Sequence, residues 1–183
     1  MLIELHKVSL LVVDVQERLV GAMSDAEGLL ARSCWMLEVA QALALPTVFS
    51  EQYPQGLGGT VPALTARVPD AEVVDKRHFS CVAADCLPET LLAREQVLVM
   101  GIEAHVCVLQ TVLGLLSLDK QVFVIEDLVG SRRPHDRQLA LQRMRDAGAF
   151  VVSREMVLFE CLGDSRHPLF RQLSKSHLLG EQP

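Results

Sequence analysis

A three-layer α/β/α sandwich around a six-stranded parallel sheet is the fold class this sequence predicts, and a few observations carry it. Half of the 183 residues are hydrophobic, enough for a large core in a chain of single-domain length. Short aliphatic runs alternate along the chain with segments of helical period, and the runs are apolar at consecutive positions, as strands covered on both faces are. Strands that return repeatedly through helices make a parallel sheet with helices on each side, a Rossmann-like arrangement. A single domain over residues 1–183 follows, since no internal repeat, low-complexity tract or linker divides it.

The first strand is SLLVVDV at 9–15, rich in β-branched residues and too short for a helix that must bury itself. Leu29, Leu30, Cys34, Leu37, Ala40 and Ala44 recur at helical spacing, which predicts a helix from Asp25 to Leu45 capped by Ser24 or Asp25. Pro46–Ser50 is the second strand. Glycine and proline break up QYPQGLGGTVP at 52–62, which reads as a loop over the sheet edge. Glu72–Asp75 is the third strand, Asp85–Glu95 a helix with Pro88 near its first turn, and Gln96–Gly101 an almost wholly apolar fourth strand. A largely buried helix runs from Ala104 or His105 to Leu118, and Val122–Ile125 is the fifth strand. Pro134 opens a helix ending near Gly148, Phe150–Val152 is the sixth strand, and a last short helix starts at Asp164 with Pro168 in its first turn.

Composition excludes several classes of function. With Lys+Arg 17 against Asp+Glu 23 the formal charge is 17 − 23 = −6, and no basic run is present to neutralise a phosphate backbone. Aromatic residues make up 4%, with one Trp and one Tyr, too few for a base-stacking platform. No nucleic-acid partner is expected. No apolar run approaches the roughly 18 residues that span a bilayer, and Glu4 interrupts the amino-terminal stretch where a signal peptide needs continuity. A cytoplasmic protein without a membrane partner is the expectation. The five cysteines, Cys34, Cys81, Cys86, Cys107 and Cys161, are odd in number and lack C-x-x-C spacing, so reduced thiols are expected rather than a disulfide framework or a zinc site.

Ligands of parallel sheets bind beyond the carboxyl ends of the strands. Asp14 ends the first strand, Lys76 follows the third, and Cys107 stands in the first turn of the helix after the fourth. A thiol there meets the positive end of the helix dipole, and a nearby lysine lowers its pKa further, which predicts thiolate near neutral pH. Asp14 would accept the thiol proton and return it to a leaving amine, while Lys76 orients the carboxylate. Each also has a bland reading: a strand-end aspartate caps turns, a lysine in DKRH is solvated, a cysteine in an apolar helix packs. Gln16, two residues after Asp14, is placed to contact substrate or to satisfy backbone groups; Tyr53 and the glycines at 56–59 form a candidate lid, and Phe79, with Ser80, a candidate pocket wall. His105 makes a poor dyad with Cys107, because helical residues two apart face different ways. His78 reads as solvated, and Cys81 and Cys86 as packing. GLGG at 56–59 and the turn DVQERLVG lack the glycine pattern that approaches a pyrophosphate, so no dinucleotide cofactor is expected.

LLVVDVQ, VVDKRHFS and GIEAHVCVLQT together resemble the isochorismatase-like cysteine hydrolase superfamily, which includes nicotinamidases and N-carbamoylsarcosine amidohydrolase, and EQYPQGLGGTVPAL with DSRHPLF resembles its YcaC-like and isochorismatase-domain branch. The resemblance covers nearly the whole chain. It implies that Cys107 is the nucleophile, Asp14 its base and Lys76 the third member of a triad. It also implies a cis peptide bond at Ile102–Glu103, and an oxyanion hole from the backbone N–H groups of Glu103 and Cys107, worth roughly 3–4 kcal/mol of barrier. Nicotinamidases hold a metal through an Asp-x-His pattern after the second strand; this chain has SEQYPQG there, so neither metal nor other cofactor is expected. Relatives generally associate, which implies a homo-oligomer. The expected activity is hydrolysis of a small amide or related C–N bond through a thioester. The alternatives are a catalytically silent small-molecule binder or oligomeric scaffold of the same fold, and a peroxide-sensing thiol protein, for which no resolving cysteine stands near Cys107 in sequence.

Overall fold

Six parallel strands, β1 (Val8–Val13), β2 (Thr47–Gln52), β3 (Glu72–Lys76), β4 (Gln96–Ile102), β5 (Gln121–Gly130) and β6 (Phe150–Val152), lie side by side in the order β3-β2-β1-β4-β5-β6 in the computed structural model, which describes residues 1–178. The helices are α1 (Glu17–Val20), α2 (Ala26–Ala42), α3 (Pro54–Leu57), α4 (Pro62–Thr65), α5 (Glu89–Leu92), α6 (Leu109–Ser117), α7 (Pro134–Asp146), α8 (Arg154–Leu162) and α9 (Phe170–His177), and a π-helical turn, Ala104–Val108, leads into α6.

Every residue of β1 and β4 is buried, and successive side chains go to opposite faces. Leu10, Val12, Leu98, Met100 and Phe123 join Met36 and Val39 of α2, Val157 and Leu158 of α8 and Leu173 of α9 in one core. Leu11, Val13, Val97, Val99 and Val124 join Leu91 of α5, Val112 and Leu115 of α6 and Met144 of α7 in the other. Each such side chain contributes about 1.5–3 kcal/mol on burial, so the aliphatic runs that mark the strands also hold the helices to both faces.

Several elements differ from expectation for identifiable reasons. β5 continues past Ile125 to Gly130 through half-buried Glu126 and Asp127, which end the apolar run in the sequence without ending the strand. The β4–β5 register shifts between Val99 and Gly101, and Gly101 sits at φ +124 with a built Cβ only 2.0 Å from the Val13 carbonyl oxygen, so glycine is required where β4 passes β1. The helix expected over Asp85–Glu95 shrinks to α5: Asp85 has φ 50, Pro88 is the N-cap, and the residue before a proline is steered out of the helical region. Inside the expected loop 52–62, Pro54 and Pro62 start the single turns α3 and α4. The sequence reading contained no α8; Ser153 caps it, its Oγ accepting from Met156 N at 3.2 Å, and Gly163 at φ 65 stops it. The last helix begins at Phe170, not at Asp164. Among the described residues, no helix is long and apolar enough to cross a membrane.

Candidate active site

The strand order reverses between β1 and β4, and the crevice beyond their carboxyl ends is the place where such sheets bind ligands. Asp14 leaves β1 at φ 52, a left-handed conformation that aspartate tolerates better than most residues, with its N–H donated to Ser50 O at 3.0 Å. Lys76 is the last residue of β3, two strands away, and its long side chain runs back across β2. Its Nζ donates to Asp14 Oδ2 at 2.7 Å and to Gln52 Oε1 at 2.8 Å. Ser50, on β2, donates its Oγ–H to Asp14 Oδ1 at 2.7 Å. Both carboxylate oxygens are thereby fixed, in an ion pair whose side chains are 0% and 1% exposed. Cys107 lies in the π-helical turn after β4, 7% exposed, and its thiol senses the charges of both Asp14 and Lys76. The structure thus gathers Asp14, Lys76 and Cys107 into one buried cluster.

The electrostatics correct one expectation. Burial, and after it the charge of Asp14, push the Cys107 thiol well above its ordinary range, with Lys76 opposing them insufficiently. The net shift runs against the thiolate expected from helix dipole and lysine. Burial alone would depress the Lys76 ammonium; Asp14, then Cys107, outweigh it and the net effect is upward. A thiol beside a fixed carboxylate is placed to give up its proton to it.

Close to Cys107 in the chain, the Ile102–Glu103 peptide bond is cis. The Glu103 carbonyl accepts from Val106 N at 3.0 Å and Val108 N at 3.3 Å, winding the turn that carries Cys107, and the Glu103 carboxylate holds Arg132 through Nε at 3.0 Å.

Gln16 is not available to a substrate. It is 0% exposed, its Nε2 donates to Gln52 O at 3.0 Å and to Gly58 O at 2.6 Å, and its Oε1 accepts from Gln52 N at 2.7 Å. It braces the segment after β2. The same segment is tied down by Glu17 N to Gly59 O, Arg18 Nη1 to Gly56 O, and Thr60 to Glu51 Oε1, which argues against a free lid at 56–59. Tyr53, at φ 40, lays its ring against Gly56, where a Cβ would come within 2.4 Å, and beneath the Arg77 guanidinium at 4.0 Å. Phe79 is half exposed just beyond Lys76, and His78 is exposed. His105 pairs through Nδ1 with Ser131 Oγ at 3.0 Å rather than with Cys107.

The sequence reading missed Ser50 and Gln52, which hold the two ends of the ion pair. Both lie in SEQYPQG, the segment in which the metal-binding pattern of the resembled nicotinamidases is missing. Among the described residues, no group of three or more His, Cys, Asp or Glu side chains is placed to hold a metal.

The sequence profile of the Isochorismatase domain family matches residues 8–156, a span containing every member of this cluster. The chain belongs to the isochorismatase family. It is 45% identical over 143 residues to isochorismatase domain-containing protein 2 of Bos taurus, covering 76% of this chain and 68% of that protein. Among solved structures, the MAR1 ribonuclease from Caenorhabditis elegans superposes with a TM-score of 0.92 at 35% identity over 100% of this chain and 95% of that one. YcaC from Pseudomonas aeruginosa, solved with hexane-2,5-diol and covalent acrylamide, gives 0.85 at 25% identity over 97% and 92%. The family places this isochorismatase-domain chain among hydrolases.

Proposed function

We propose that this isochorismatase-family chain is a cysteine hydrolase of small amides or related C–N bonds, working through Cys107, Asp14 and Lys76 without metal or other cofactor. The observation that carries the proposal is the Asp14 carboxylate, fixed by Ser50 and Lys76, with its charge acting on the buried Cys107 thiol. Cys107 Sγ attacks the carbonyl carbon as Asp14 takes the thiol proton, and the carbonyl oxygen gathers negative charge against the backbone N–H groups of Glu103 and Cys107. Asp14 passes the proton to the departing nitrogen as the C–N bond breaks, leaving a thioester on Cys107. Water then attacks the thioester, giving a proton to Asp14, and the thiolate departs and is reprotonated from Asp14. Lys76 keeps its charge throughout and holds the carboxylate in line. Phe79 and Tyr53 stand at the rim as candidate contacts for the substrate's apolar part.

Covalent acrylamide in the Pseudomonas aeruginosa YcaC supports the reading, since a buried thiol beside a base adds to such an alkene. The test is a panel of small amides with the native chain and Cys107→Ala: turnover that vanishes in the variant, with an acyl group on the tryptic peptide 95–120, in which Cys107 is the only cysteine, supports it. Turnover retained by Cys107→Ala removes it. The name of the Caenorhabditis elegans neighbour raises a second activity, RNA cleavage. A formal charge of −6 opposes RNA binding, and no cleavage of single- or double-stranded RNA is expected. Copies of the chain are expected to associate; light scattering that reports a 20.2 kDa monomer would refute this.

A further inference from the structure

The triad leaves a second pair of sulfurs unused. After β3 the chain turns back on itself so that Cys86 N donates to Cys81 O at 3.3 Å, and Cys86 Sγ donates to the same carbonyl at 3.5 Å. The two thiols act on each other, Cys86 lowering the pKa of Cys81 and Cys81 raising that of Cys86. Five residues apart in sequence, they are drawn together by these two contacts with one carbonyl, and a bridge between them needs Cα atoms about 4.4–6.8 Å apart. Cys81 is fully buried and Cys86 half-buried, which gives the pair one inner and one outer member.

The inner member touches the supports of the triad. The Cys81 thiol senses Ser50, whose hydroxyl holds Asp14, and Thr111, one helical turn past Cys107. The backbone confirms the second contact: Cys81 N donates to Thr111 Oγ1 at 3.1 Å. The turn is packed on the same helix, because a Cβ added at Gly114 would fall 2.8 Å from Val82 Cβ and 3.2 Å from Ser80 Oγ. Cys86, with Ser50 and Lys76, holds the Cys81 thiol below its ordinary range against the opposing effect of burial.

We propose that Cys81 and Cys86 form a reversible dithiol–disulfide site, oxidised by hydroperoxides, whose state sets the reactivity of Cys107. The outer Cys86 sulfur attacks the distal peroxide oxygen; the O–O bond breaks, the departing alkoxide takes the thiol proton, and a sulfenic acid remains. The Cys81 sulfur then attacks the Cys86 sulfur, the S–O bond breaks, and the hydroxide leaves with the Cys81 proton as water. Overall, two thiols and one hydroperoxide give a disulfide, an alcohol and water, with both electrons supplied by the sulfurs. A dithiol reductant reverses the change by exchange. Once Cys81 is bonded to Cys86, its contact with Thr111 shifts, and with it the helical turn that sets Cys107 beside Asp14. Only this coupling rests on the triad reading; formation of the disulfide does not.

The experiment treats the native chain, Cys107→Ser and Cys86→Ser with hydrogen peroxide, alkylates in denaturant and digests with trypsin. Peptide 78–94 holds Cys81 and Cys86 and no other cysteine, and peptide 95–120 holds Cys107 alone. The expected result is a mass loss of about 2 Da on peptide 78–94 in the native and Cys107→Ser chains, restored by dithiothreitol and absent in Cys86→Ser. Alkylation of Cys107 by iodoacetamide in the oxidised native chain should be slower by at least about threefold. Peptide 78–94 taking alkyl groups at both cysteines after peroxide, or Cys81 recovered bridged to Cys107, overturns the site. An unchanged Cys107 rate in the oxidised chain overturns the coupling. Should Cys107 instead prove dispensable for turnover, the triad reading fails while the disulfide result stands by its own mass measurement.

Discussion

Replacing Lys76 with Met removes a buried ammonium and keeps most of its aliphatic stem. The Lys76 side chain is 0% exposed, so no water can take over its two contacts, and Asp14 Oδ2 and Gln52 Oε1 are left without their donor. Removing one partner of a buried ion pair costs about 3–5 kcal/mol, against a total stability for such a domain of about 5–15 kcal/mol. Asp14→Asn should cost a similar amount for the converse reason. The double variant is the informative one, because it leaves no uncompensated charge: its loss should fall short of the sum of the single losses by about 2–3 kcal/mol. Urea unfolding of the chains at fixed ionic strength supplies the cycle. Lys76 also predicts the pH dependence. Its pKa is raised on folding, so its contribution is complete below the unfolded value of about 10.5 and is lost as pH climbs through the higher folded value, where the gap between the native chain and Lys76→Met should narrow. Losses that add within about 0.5 kcal/mol would refute the reasoning, because groups that share an ion pair cannot be independent.

The remaining predictions concern the nucleophile, the backbone and the brace. Burial and Asp14 keep Cys107 a thiol, so its alkylation by iodoacetamide should keep accelerating as pH rises past 9.0, the ordinary thiol value, and a plateau reached by neutral pH would mean a resting thiolate. Gly101→Ala sets a Cβ against the Val13 carbonyl at φ +124; a loss of more than about 3 kcal/mol in urea unfolding is expected, and a loss below about 1 kcal/mol would mean that β1 and β4 are not held as described. Gln16→Ala frees three backbone groups and should lower stability by about 1–3 kcal/mol while leaving the KM of any substrate found within about twofold; a large rise in KM with unchanged stability would restore Gln16 as a substrate contact.

The strands and the principal helices were legible because burial on both faces of a parallel sheet writes itself as unbroken aliphatic runs, as in VSLLVV and QVLVMGI. Legibility failed where backbone geometry rather than hydrophobicity decides. Glu126 and Asp127 hide the second half of β5, whose register shift depends on Gly101. Asp85 and Pro88 cut short a helix whose apolar spacing looked adequate, and α8 is an amphipathic segment too short for its period to stand out. At the site, strand ends named Asp14, Lys76 and Cys107, because position along a parallel strand fixes the rim on which a residue emerges. Nothing in one-dimensional order says that Lys76 reaches across β2, that Ser50 and Gln52 clamp the pair, or that Gln16 points back into the scaffold. Those contacts depend on side-chain direction and on the turn after β2. The charge state of Cys107 failed for a related reason: helix dipole and lysine could be read from spacing, whereas the depth of burial that outweighs them could not.

Rapid acid quenching of the native chain during hydrolysis of a small amide, followed by weighing of peptide 95–120, tests the central claim most directly. The account predicts an acyl group of the substrate's mass on Cys107, absent in Asp14→Asn. Steady hydrolysis with an unmodified Cys107 peptide, undiminished in Cys107→Ala, would contradict it.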